Sequence, residues 1–140
     1  MQTFVVAIAD NCQTFHNIIQ SFIKNYNNSN KNNMFIQSKH FYTIEELIVF
    51  LKNKPEFVHL LFLDSNLKCN TNNVDVLSDI RKYSPNLLIY IVDNGCISIN
   101  TLINLSQKYN VQYIQKPISE ADFLVKLIYT QKMLLFNQDK

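Results

Sequence analysis

Residues 3–10 read TFVVAIAD, a short apolar run that ends in a carboxylate. A run rich in β-branched residues and without polar alternation is typical of a parallel strand buried on both faces. From Gln13 to about Asn25, apolar residues recur at helical spacing. The stretch therefore predicts a strand that stops at Asp10 and an amphipathic helix directly after it.

The same alternation continues to the end of the chain. Further strands are predicted at 34–39, 58–63, 87–92 and 111–115, and helices at 43–51, 74–83, 99–109 and from Ser119 onward. Five strands alternating with five helices predict a doubly wound α/β domain, because right-handed crossovers place helices on both faces of a parallel sheet. We expect a five-stranded sheet of order 2-1-3-4-5, a flavodoxin-like three-layer sandwich.

Length and composition exclude several functional classes. The 140 residues predict one domain, 1–140, and 47% hydrophobic residues with a net charge of +2 indicate a globular chain without a basic patch for nucleic acid. A single glycine, Gly95, excludes the Gly-rich phosphate turns of ATP and NAD sites. The sequence has no membrane span or signal peptide, so we expect a cytoplasmic protein without membrane contact.

Two compositional features stand outside this pattern. Residues 25–33 are rich in asparagine and are predicted to form a solvated loop. The sequence has three cysteines, Cys12, Cys69 and Cys96. Their odd number and the absence of CxxC spacing argue against a disulfide framework, so reduced thiols are expected.

Polar residues follow four of the predicted strands: Asp10, Asp64, Asp93 and Lys116. In open parallel sheets, ligands bind beyond the carboxyl ends of the strands, so these side chains should share one edge. Carboxylates brought together repel each other unless a cation lies between them, and Mg²⁺ commonly takes one or two carboxylates with waters and a phosphate oxygen. Asp10 and Asp64 would suffice as protein anchors for Mg²⁺, and Lys116 would hold the phosphate.

A single Asp after a strand is equally typical of a turn or a helix N-cap, so the prediction depends on the joint placement. Pro117, directly after Lys116, is a candidate for a cis peptide bond.

The chain resembles a response-regulator receiver domain, the phosphoryl-accepting module of two-component signalling, over essentially its whole length. Three segments carry the resemblance: VVAIADN at 5–11, LLFLDSN at 60–66 and YIQKPIS at 113–119. The resemblance implies that Asp64 is the phosphoacceptor, that Asp10 and the backbone carbonyl of Asn66 bind Mg²⁺ with it, and that Lys116 contacts the phosphoryl group. It also makes Tyr113 the switch aromatic. Tyr113 could equally be a half-buried aromatic of an edge strand that takes no part in switching.

The resemblance further implies a module that is not an enzyme, with at most slow self-catalysed phosphorylation and dephosphorylation. Ionised Asp64 would attack a phosphohistidine of a sensor histidine kinase or phosphotransfer protein, and give an acyl phosphate. The readout would be a packing change on the face made by helix 4, strand 5 and helix 5. That face would contact an output domain, a downstream protein or a second copy of the chain.

The sequence departs from the family pattern at two positions. Ala9 replaces the first residue of the usual acidic pair, so weaker Mg²⁺ binding is expected. Asp93 stands where the family has Thr or Ser, and a carboxylate there would repel a phosphoryl group. A register shifted by one residue would place Asn94, a hydrogen-bond donor, at that position.

Three other hypotheses compete with the function of a phosphoacceptor domain. A pseudo-receiver that binds partners independently of phosphorylation would explain Ala9 and Asp93. A flavin site is disfavoured because a carboxylate follows strand one. Cys12 and His16, at i, i+4 spacing, could form a zinc or redox site, although such soft ligands fit poorly beside Mg²⁺.

Overall fold

A computed structural model describes residues 2–29, 34–67 and 75–138. Over this part of the chain, strands and helices alternate as the sequence predicts. The elements are β1 (Gln2–Ala9), α1 (Gln13–Ser29), β2 (Met34–Phe41), α2 (Ile44–Asn53), β3 (Leu60–Asp64), α3 (Val76–Tyr83), β4 (Leu88–Asp93), α4 (Ile99–Tyr109), β5 (Gln112–Gln115) and α5 (Glu120–Gln138).

The strands form one parallel sheet in the order β2-β1-β3-β4-β5. The predicted fold class and strand order are therefore confirmed. The carboxyl ends of β1, β3, β4 and β5 meet along one edge, so residues far apart in sequence become neighbours there.

Each face of the sheet carries its own apolar core, because successive side chains of a strand point to opposite faces. Val6 and Ile8 of β1 face α1 and α5, whereas Ala7 and Ala9 face the side covered by α2 and α3. All four are fully buried. This burial on both faces is why β1 shows a continuous apolar run.

The prediction of a loop at 25–33 is wrong for residues 25–29, because α1 continues through Ser29. The Asn27 amide donates to the carbonyl of Ile36 at 3.0 Å and accepts from its N–H at 2.9 Å. A polar side chain is thus used to satisfy backbone groups of the edge strand β2 and to hold the last turns of α1 against it. Residues 30–33 lie outside the described part of the chain.

β3 begins at Leu60, two residues after the predicted start. His59, directly before β3, is bound to β1 through both its ring and its backbone: the ring Nδ1 accepts from the Val5 N–H at 2.9 Å, and the backbone N–H donates to the Val5 carbonyl at 3.0 Å. None of the helices in the described ranges is long and apolar enough to cross a membrane.

Candidate phosphoacceptor site

Asp10, Asp64 and Asp93 lie at the carboxyl edge of the sheet, directly after β1 and at the ends of β3 and β4. All three are buried, with 1%, 7% and 1% of their surfaces exposed, respectively. Buried carboxylates require hydrogen-bond or charge partners. The three carboxylates have different partners: Asp10 and Asp64 contact Lys116, whereas Asp93 contacts a loop.

Lys116 joins two of the carboxylates. Its Nζ lies 2.8 Å from Asp10 Oδ2 and 3.6 Å from Asp64 Oδ1, and 4.6 Å from the centre of the Phe15 ring. Its backbone N–H donates to the Asp93 carbonyl at 2.7 Å, which fixes the end of β5 beside β4. Asp10, Asp64 and Lys116 therefore form one cluster, as predicted from their positions after the strands.

The cluster has a distinct electrostatic character. Burial raises the pKa of Asp64 above its usual value, and the nearby negative charge of Asp10 adds to this rise, while Lys116 and the N–H of Asn66 oppose it. Burial would lower the pKa of Lys116, but its hydrogen bond to Asp10 and the two carboxylate charges raise it instead. Two carboxylates thus share one ammonium group, so a further positive charge would be favourable at this cluster.

Asp10 is held rigidly by its neighbours. Its Oδ1 accepts from the Cys12 N–H at 2.8 Å, and its own N–H donates to the Phe41 carbonyl at 3.0 Å. Its carbonyl accepts from His16 Nε2 at 2.7 Å. The contacts with β2 and α1 therefore hold the Asp10 backbone, while the Cys12 N–H and Lys116 Nζ orient its carboxylate.

His16 and His40 form a pair that the sequence analysis did not predict. Their Nδ1 atoms lie 2.7 Å apart, and His16 is 1% exposed with its ring against Tyr42. The Asp10 carbonyl can only accept, so His16 Nε2 carries hydrogen, and a single hydrogen lies between the two Nδ1 atoms. The pair joins α1 to β2, and no local sequence signal connects two residues across that distance.

Asp93 belongs to a different set of contacts. One carboxylate oxygen accepts from the Ser65 hydroxyl. The other accepts from the N–H groups of Gly95, Cys96 and Ile97 at 2.8, 2.7 and 3.1 Å. Its carboxylate is thus directed into the loop between β4 and α4. The sequence had instead suggested a carboxylate that faces the pocket and repels a phosphoryl group.

The remaining predicted site residues lie around this edge. Asn94 is exposed, and Asn66 is exposed while its N–H donates to Asp64. Tyr113 is half-buried on β5 and lines a groove with Ile91 and Leu102. Partial burial, with the charges of Asp93 and Cys96, raises the pKa of its hydroxyl. The Lys116–Pro117 peptide bond is cis.

The donors for a cation are few and consist of oxygen. Within residues 2–29, 34–67 and 75–138, no three His, Cys, Asp or Glu side chains are placed together to hold a metal ion. Asp10 and Asp64 supply two carboxylates, and their mutual repulsion is the property that a hard divalent cation relieves. The donor set fits Mg²⁺ completed by a backbone carbonyl, waters and a phosphoryl oxygen.

The alternative zinc or redox site is not assembled by the fold. His16 is buried and directs its ring nitrogens at Asp10 and His40, whereas Cys12 is exposed. Cys96 is also exposed, and Cys69 lies outside the described residues.

No protein-family model matches this sequence, and no curated protein matches it. Solved structures do match the fold. The signal receiver domain of an HD domain-containing protein from Pseudomonas fluorescens Pf-5 has a TM-score of 0.75 at 10% identity, covering 100% of this chain and 95% of its own. A response regulator receiver domain protein from Clostridium thermocellum has a TM-score of 0.70 at 15% identity, covering 94% and 98%.

RcsB from Salmonella enterica serovar Typhimurium, solved with promoter rprA in the presence of phosphomimetic BeF3⁻, has a TM-score of 0.67 at 17% identity. It covers 91% of this chain, which covers 98% of the RcsB chain. At such identities the likeness concerns the arrangement of the backbone. The chain therefore has the five-stranded parallel fold of response-regulator receiver domains.

Proposed function

We propose that this chain is a phosphoacceptor receiver domain, in which Asp64 takes a phosphoryl group from a histidine kinase or a phosphotransfer protein. The observation that carries the proposal is the position of Lys116 Nζ, 2.8 Å from Asp10 Oδ2 and 3.6 Å from Asp64 Oδ1. A carboxylate nucleophile with a cation beside it suits acyl phosphate formation, because the cation can stabilise the charge that builds on the phosphoryl oxygens.

In this proposal, the ionised Asp64 oxygen attacks phosphorus, the bond from phosphorus to the donor breaks, and the donor leaves with the electron pair. Lys116 stabilises the charge that builds on the phosphoryl oxygens. Asp10, Asp64 and the Asn66 carbonyl would hold Mg²⁺, which would neutralise further charge at the same oxygens. The protein contributes position and charge, so the domain is a substrate of its donor more than an enzyme.

The proposed output is the face made by α4, β5 and α5. Ile99 and Ile103 of α4 are 75% and 47% exposed, beside the groove lined by Tyr113. This exposed apolar surface could bind an output domain, a downstream protein or a second copy of the chain. Such partners imply a cytoplasmic location.

The direct test is incubation with acetyl phosphate and Mg²⁺, followed by intact mass measurement. We expect one phosphoryl adduct on the wild type that hydroxylamine removes, because hydroxylamine cleaves acyl phosphates. Asp64→Asn should show no adduct. Asp122→Asn, which changes an exposed carboxylate on α5, is the matched control and should keep the adduct.

The second candidate is a pseudo-receiver that binds partners without phosphorylation. Two observations favour it: Ala9 offers no second carboxylate, and the Asp93 carboxylate is already occupied by the loop after β4. Absence of the adduct under conditions where a known receiver is labelled would support this candidate over the first.

A further inference from the structure

The loop between β4 and α4 is folded around the Asp93 carboxylate. Three successive N–H groups, from Gly95, Cys96 and Ile97, converge on its Oδ2 at 2.8, 2.7 and 3.1 Å. Consecutive N–H groups that point at one centre form an anion-binding concavity. Here the anion belongs to the same loop.

The one glycine of the sequence lies in this concavity. Gly95 has a φ of +93°, a region that L side chains rarely adopt. A Cβ there would also meet the Gln115 side chain at 3.0 Å. The turn that collects the three N–H groups therefore depends on glycine at this position.

The second Asp93 oxygen connects the loop to the phosphoacceptor strand. It accepts from the hydroxyl of Ser65, the residue after Asp64, whose N–H donates to the Val92 carbonyl at 2.9 Å. With four donors and 1% exposure, Asp93 has its acceptor capacity largely filled. Its carboxylate oxygens are therefore engaged by the loop and by Ser65, and they are shielded from solvent.

We infer that Asp93 is a positioning residue that acts as a built-in anion: it holds the β4–α4 loop in one conformation independently of the state of Asp64. This inference concerns regulation and rests on the proposed function, since it states how the loop responds to a phosphoryl group. In a domain with Thr at this position, the loop would be free to form a bond to the phosphoryl oxygen. Here its donors are already committed to Asp93.

Hydrogen exchange of the Gly95, Cys96 and Ile97 amides by NMR tests the inference without any ligand. We expect protection in the wild type and exchange at least about tenfold faster in Asp93→Ala, because a charge-assisted acceptor is lost from three amides at once. Asp122→Ala is the matched control and should leave these amides unchanged. Ser65→Ala should keep most of the protection, since it removes only the donor to the other oxygen.

Folding of each variant is checked by exchange of the Val6 and Leu61 amides in the core strands, which should stay protected. If Asp93→Ala loses protection at Val6 and Leu61, Asp93→Asn is used in its place. The amide oxygen of the new Asn side chain can still accept from the loop, so intermediate protection of the loop amides is expected. Loop amides that exchange equally in the wild type and in Asp93→Ala or Asp93→Asn would overturn the inference.

Addition of BeF3⁻ and Mg²⁺ separates this inference from the proposed function. If both hold, resonances of Asp10, Asp64 and Lys116 shift while the exchange rates of the loop amides change less than about twofold. If the site resonances do not shift, the proposed function fails, and the comparison of wild type with Asp93→Ala still decides the inference. A large change in loop exchange together with shifted site resonances would overturn the inference alone.

Discussion

His16 and His40 face each other through their Nδ1 atoms at 2.7 Å, so only one hydrogen can lie between the two rings. Burial of His40 lowers its pKa below the usual 6.5, and the charge of His16 lowers it further. His40 Nε2 lies 3.0 Å from Gln20 Oε1 and 3.1 Å from Ser38 Oγ, and Tyr42 lies against His16. These are polar neighbours without a carboxylate to favour the charged form.

The folded state therefore prefers neutral His40, and the unfolded chain binds the proton first as the pH falls. The free energy of unfolding should decrease below about pH 6.5 and continue to decrease until the folded state is also protonated. His40→Gln should flatten this dependence in urea titrations between pH 7 and 5. Part of the slope should remain, because burial also lowers the pKa of His59. An unchanged slope in the variant would contradict the assignment to His40.

Arg81 should be a major source of stability. Its guanidinium donates to five backbone carbonyls, on residues 84, 85, 87, 109 and 110, with the shortest distance being 2.6 Å to Leu87. Lysine keeps the charge but lacks the planar set of donors. Arg81→Lys should lower the free energy of unfolding by about 2–3 kcal/mol in urea titration. Lys82→Ala, the exposed neighbour, should cost at most about 0.5 kcal/mol.

Asp64→Asn should stabilise the domain in the absence of Mg²⁺. Burial and Asp10 raise the pKa of Asp64 above the usual 3.8, so its ionised form is less favourable folded than unfolded. A neutral amide of the same shape should therefore raise the free energy of unfolding at pH 7, as measured by urea titration. The gain should disappear below pH 3.8, where the wild-type carboxyl is neutral in both states.

Asp75→Asn is a control with the opposite sign. Burial alone would raise the pKa of Asp75, but hydrogen bonds from Tyr109 and from the N–H of Ser78 outweigh it and lower the pKa. This variant should destabilise the domain at pH 7. Equal effects from the two substitutions would refute the electrostatic explanation.

Ala9→Asp should tighten Mg²⁺ binding by ~10-fold or more, since it restores the missing acidic residue beside Asp10. Ala9 is fully buried on the α2 and α3 side of the sheet, so the new carboxylate should also destabilise the domain without the ion. Calorimetric Mg²⁺ titration measures the first effect and urea unfolding the second. Unchanged affinity would mean that the Ala9 position lies too far from the ion to contribute.

The sequence by itself determined the strand and helix alternation, and with it the parallel sheet and the edge where Asp10, Asp64 and Lys116 meet. The spacing of apolar residues indicates which face of each element is buried. The continuous apolar run of β1 indicates burial on both faces, and this implies helices on both sides of the sheet. Short crossovers then restrict the topology to few choices. The end of α1 was predicted less well, because Asn27 is satisfied by Ile36 rather than by water.

Only the tertiary structure decided how the buried polar groups are paired. Lys116 and Asp10 are 106 residues apart, and His16 and His40 are 24 apart on different elements. Asp93 could have faced the pocket, the solvent or its own loop, and all three choices are compatible with the same strand pattern. The chosen partner depends on strand register and on a few tenths of an ångström in hydrogen-bond distance, which no periodicity of apolar residues encodes.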